Sequence, residues 1–192
     1  MSVAPHECAL LEAAIYTAFP LHPIPPMTLD RTAALARQTY EPMAGRTWPE
    51  AVGCRLCDDE PGPFPSIWTE GTPLEITHYY LPSHLVFSSI SLGLRAVSYI
   101  PGHTMQALIL APSDRLAPLS EIRAELRVEA PMVPSALAER AALYHRMTKE
   151  QRACIVLFLS LYLKSHRTNF SKRGAELYLQ NRDIWEYSLL SS

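Results

Sequence analysis

Cys54-Arg55-Leu56-Cys57 has the spacing of a zinc half-site or a redox pair. A structural zinc wants four ligands, normally a second cysteine pair. The remaining candidates are Cys8, Cys154, and scattered histidines such as His78 and His84. Cys154 falls inside a long apolar run, where a packed core claims it. A redox pair would want a strand–loop–helix setting, which the pattern does not offer. Glu75-Ile76-Thr77-His78 places a carboxylate and an imidazole at i, i+3, the spacing that puts two iron ligands on one helix face. A di-iron bundle needs that motif twice, and the chain carries it once. The ordinary reading is a surface Glu–His pair on a helix.

Nucleophilic and phosphate chemistry find less. The chain has no Gly-x-Ser-x-Gly, no His-Glu-x-x-His and no phosphate-cradling loop, with only 7 glycines to build one. His103, after Pro101-Gly102, sits in a turn where a solvated histidine is the usual occupant. The sequence therefore predicts no catalytic residue, no cofactor and no bound metal. A metal-dependent or hydrolytic enzyme of unfamiliar helical type would have to use Glu75, His78 and His84.

A different group points to binding. Trp48, Trp68, Tyr79 and Tyr80 fall around Asp58, Asp59 and Glu60. Residues 1–80 hold ten acids against four arginines, leaving −6; the other nine acids and thirteen bases leave +4. Interfaces are enriched in tyrosine and tryptophan, and an acidic rim steers a basic partner. Trp48, Asp58, Asp59, Glu60, Phe64 and Trp68 are thus the expected partner-binding residues. Two plainer readings compete: the rings roof the core, and the two oppositely charged halves attract each other.

These residues need elements to hold them. The clearest is a helix over 148–165. Thr148 and Gln151 form a capping-box pattern, Glu150 sits in the first turn, and Lys164, His166 and Arg167 crowd the end. Ala153 to Leu163 is apolar except Ser160, so the helix is expected to be buried by its neighbours. The run is about half the ~20 residues a membrane span needs. A first helix is expected from Pro5 to Ala18, with Cys8, Leu11, Ile15 and Phe19 on one stripe and Pro20 ending it. Residues 20–27 (PLHPIPPM) form a stiff extended connector. Thr28 caps a helix to Gln38, and Thr47 with Glu50 opens one near 48–56. Residues 58–72 form a long loop.

Thr72, Pro73 and Glu75 start a further helix, which Pro82 kinks or stops. An apolar helix continues over 83–98. Residues 104–111 fit a short helix or a strand, the helix being favoured; further helices are expected at 119–129 and 135–146, and a last one from Ser171 to Leu189 with Leu177, Ile184, Trp185 and Leu189 inward. Strand alternation and hairpin turns are absent. At 192 residues, 48% hydrophobic and 19% charged, the chain reads as one mostly α domain, an irregular helical bundle around residues 148–165.

Three segments together resemble a family of small bacterial proteins known only as a domain of unknown function. They are Gly45-Arg46-Thr47-Trp48, Tyr79-Tyr80-Leu81-Pro82, and Met147-Thr148-Lys149-Glu150-Gln151, with Ala18-Phe19 and Trp185 completing the pattern. The segment from Leu21 to Glu41 is longer than that pattern. The resemblance implies a helical fold and carries over no activity, cofactor or catalytic residue.

The expected function is that of a non-enzymatic bacterial binding protein of immunity or antitoxin type, which masks a basic toxin or effector. A net charge of −2 gives no support to nucleic acid or membrane as partner. Four cysteines without a signal peptide suggest a cytoplasmic setting. The alternatives are the enzyme named above and a subunit of a larger protein assembly.

Overall fold

The computed structural model describes residues 3–29, 40–56, 72–94, 104–105, 108, 142–166, 179–183 and 185–186. The fold is mostly α, and no strand occurs among the described residues. Contacts gather into two compact units, residues 4–107 and residues 1–3 with 108–192.

In the first unit, helix α1 spans Pro5–Ala18. Pro5 takes the first position, where its missing N–H costs nothing, and Glu7 Oε2 accepts the Ala4 amide at 2.9 Å. Cys8, Leu11 and Ile15 form its buried stripe, continued by Phe19. A 3₁₀ turn at Glu41–Met43 leads to Gly45, whose φ of 73° is left-handed and suits a residue without Cβ. Helix α2, Trp48–Leu56, follows directly. Both the amide and the hydroxyl of Thr47 donate to Glu50 Oε2 at 2.7 Å.

Helix α3, Leu74–Leu94, is the centre of this unit and packs against both α1 and α2. It runs as one helix through Pro82, joining the two segments that the sequence separates there. Every side chain from Ile76 to Ser89 is buried except that of His78, which is half-buried. Burial on all sides offsets the ~3 kcal/mol that an interior proline typically costs. Its serines let neighbours approach closely, and each hydroxyl is satisfied. Ser83 donates to Trp48 O at 2.6 Å, Ser89 to Cys8 O at 3.1 Å, and Ser91 to Phe87 O at 3.0 Å; Ser88 pairs with Thr104 at 2.8 Å. Two of these bonds stitch α3 to α2 and α1.

In the second unit, helix α4 spans Lys149–His166. Its capping box is complete: Thr148 N donates to Gln151 Oε1 at 3.1 Å, and Gln151 N to Thr148 Oγ1 at 3.3 Å. Cys154, Ile155, Phe158, Leu159, Leu161 and Tyr162 are buried, whereas Val156, Leu157, Ser160 and Leu163 are half-buried. The apolar run thus has a sealed face and a partly covered one. Trp185 is buried, donates its indole N–H to Leu108 O at 2.9 Å, and lies 5.1 Å from the Tyr144 ring. Arg152 caps the same ring, its guanidinium carbon 5.1 Å from the centroid.

Of the helix expected at 28–38 only Thr28 and Leu29 are described, and neither is helical; the rest of it, the helix at 119–129, most of that at 135–146 and nearly all of the 58–72 loop lie outside the described residues. Thr104 and Met105 are helical, and so are 142–146, 179–183 and 185–186. No helix among the described residues is long and apolar enough to cross a membrane.

Candidate protein-contact surface

Trp48 is 2% exposed, so it is a core residue and presents no ring to a partner. Its indole N–H donates to Phe19 O at 3.2 Å, across 29 positions of chain. Its ring lies 4.9 Å from that of Tyr16, which is 51% exposed. Trp48 therefore backs an exposed tyrosine and fixes the point where α1 gives way to the proline run.

Exposed large apolar side chains concentrate at that point. Leu10 (63%), Tyr16 (51%), Leu21 (64%) and Ile24 (37%) all fall within a short stretch, with Leu179 the other such residue among the described ones. The outer face of α1 is formed by Pro5, His6, Ala9, Leu10, Ala13, Tyr16 and Thr17, and holds no acid, lysine or arginine. From Pro5 to Leu29 the only formally charged side chains are Glu7 and Glu12, both half-buried. A water-facing surface without charge, carrying large apolar groups, has the composition of an interface centre.

Tyr79 and Tyr80 roof the core, the plainer of the two readings of these rings. Tyr80 is fully buried, and its phenol donates to Met43 O at 2.8 Å and Arg46 O at 3.1 Å. Burial pushes that phenol up to about 12, and pushes Tyr79 up as well. The rings of Tyr79 and Tyr80 meet edge-on at 4.9 Å, and Tyr40 lies 6.0 Å from Tyr80. Asp58, Asp59, Glu60, Phe64 and Trp68 lie outside the described residues.

The residues of the enzyme reading do not converge. Glu75 is exposed, His78 half-buried and His84 2% exposed, with Tyr40 edge-on to its ring at 6.4 Å. Glu75 and His84 stand nine positions apart on one helix, roughly 13 Å along its axis and about half a revolution round it. Among the described residues no group of three or more His, Cys, Asp or Glu could hold a metal ion. Cys8 and Cys154 are buried free thiols, raised above the ordinary thiol range by burial, Cys154 to about 11. The side chains of Cys54 and Cys57 lie outside the described residues.

The uncharged face of α1 and its continuation into Leu21 and Ile24 are what sequence reasoning missed. The available signal was the lack of any formal charge from Ala13 to Leu29 within a chain that is 19% charged. Comparison with protein families, curated proteins and solved structures finds no match to the chain.

Proposed function

We propose that this protein is a non-enzymatic binding protein that acts by masking a partner protein, in the manner of an immunity protein or antitoxin. The observation that carries this reading is the uncharged, apolar exposed surface running from Leu10 to Ile24. Burying such a surface removes apolar area from water without desolvating a charge, the favourable case for association. Trp48 supports the surface from behind, so Tyr16 meets a partner with little ordering left to do. Acid-rich residues 1–80 would draw a basic toxin or effector to the same unit.

Co-expression of the tagged full chain with the products of its neighbouring genes tests this. A stable one-to-one complex is expected, and Leu10→Lys with Leu21→Lys should disrupt it by placing two charges in the contact. A complex indifferent to those changes, or no complex with any neighbour-encoded protein, would contradict the reading.

A further inference from the structure

The proline run has a geometry of its own. Residues 20–26 read Pro-Leu-His-Pro-Ile-Pro-Pro and carry no regular secondary structure. Proline fixes φ near about −65° at positions 20, 23, 25 and 26. The residue before a proline is kept out of helical angles, which constrains Phe19, His22, Ile24 and Pro25. Leu21 alone between 20 and 26 escapes both restrictions. The segment is thus held close to polyproline II, with three residues per turn.

That period sorts the side chains into three edges. Pro20, Pro23 and Pro26 form one, and all three are exposed. Leu21 and Ile24 form the second, 64% and 37% exposed. The third holds Phe19, which is buried, His22, which is exposed, and Pro25, which is half-buried. The start of the run is tied to α2, Phe19 O accepting from Trp48, and at its far end Thr28 N donates to Pro26 O at 2.8 Å in a tight local turn. Among the described residues no hydrogen bond involves the amides of Leu21, His22 or Ile24.

We propose that residues 20–26 are a preformed polyproline II ligand that docks in an aromatic-lined groove of the partner protein. Pro20-Leu21 and Pro23-Ile24 enter the groove as two successive dipeptides. This rests on the binding-protein reading and names its mode. Strand addition to a sheet edge is disfavoured, because four of these seven residues lack an amide donor. A helix-in-groove mode is closed to a segment so rich in proline. Grooves lined with aromatic rings recognise this backbone because its order is already in place. The run itself carries no formal charge, so the contact it makes is apolar.

The test uses the full chain titrated calorimetrically with three purified groove types that read polyproline II: an SH3, a WW and an EVH1 domain. At least one should bind. Pro20→Ala, Pro23→Ala and Pro26→Ala together should weaken binding at least about tenfold, as should Leu21→Ala with Ile24→Ala. His22→Ala, on the third edge, should leave affinity unchanged. Circular dichroism and thermal melts would verify that each variant folds as the parent does. Failure of all three grooves to bind would overturn the proposal; so would a proline triple variant that binds like the parent, or His22→Ala costing as much as the triple. A neighbour-encoded complex lost with Leu10→Lys but kept by the proline triple variant would leave the binding reading standing and remove this docking mode.

Discussion

Trp48 and Phe19 meet through a single hydrogen bond, indole N–H to main-chain oxygen at 3.2 Å, at the seam between α1 and the proline run. Phe19 also donates its own amide to Ile15 O at 3.0 Å, which closes the last turn of α1. The residue is thereby held on both sides, and the exposed segment leaves the body from a fixed point. The proposed contact surface depends on that fixation.

Trp48→Phe keeps an aromatic ring in the core but removes the donor to Phe19 O. The expected loss is about 1 kcal/mol from the hydrogen bond, within the usual range for a buried neutral pair. Urea unfolding should show it as a lower midpoint with unchanged slope. Affinity for a partner should fall further than stability does, because the proline run loses its anchor.

Tyr80 ties α3 to the turn after Met43 through two carbonyl acceptors. Its phenol is raised to about 12, chiefly by burial, from an ordinary value of about 10. A raised folded-state pKa means that the native protein holds this proton longer than the unfolded chain does. The associated stability is complete below pH ~10 and is lost as pH rises through ~12. Tyr80→Phe should flatten that alkaline decline in a series of melts from pH 8 to 12 while lowering stability by ~1 kcal/mol at neutral pH.

Gly45 sits at φ 73°, and a Cβ built there meets nothing within 4 Å. Gly45→Ala therefore carries a backbone cost alone, on the order of 1 kcal/mol. A D-alanine placed at 45 by semisynthesis should recover the loss, since its mirror-image preference accepts positive φ.

Thr148→Ala removes one arm of the capping box at the start of α4. About 1 kcal/mol of stability should go with it. Thr148→Ser should retain most of it, which separates the hydroxyl's contribution from that of side-chain bulk.

Much of the helical frame was legible where local chemistry dominates. Pro5 and the residue pattern to Ala18 mark α1 at both ends, and the stripe of Cys8, Leu11, Ile15 and Phe19 is buried as its spacing implies. Thr47–Glu50 and Thr148–Gln151 mark helix starts because caps are contacts between near neighbours. Pro82 was harder to read. Whether a proline ends a helix depends on what the flanking turns bury, and α3 is buried almost all round. Trp48 shows the same limit. Its composition suits an interface, yet its place in the core depends on Phe19 and Tyr16, 29 and 32 positions earlier in the chain. The exposed apolar face from Leu10 to Ile24 was not legible because an exposed apolar residue looks like a buried one until its neighbours in space are known.

In the proposed complex the partner sits on the Leu10–Pro26 stretch. Hydroxyl-radical footprinting of the chain, free and in its complex, measures this side chain by side chain. Leu10, Tyr16, Leu21, Ile24 and the exposed prolines should lose reactivity together on complex formation, while Leu179 stays as reactive as before. Protection that falls elsewhere and leaves those residues open to solvent would contradict it.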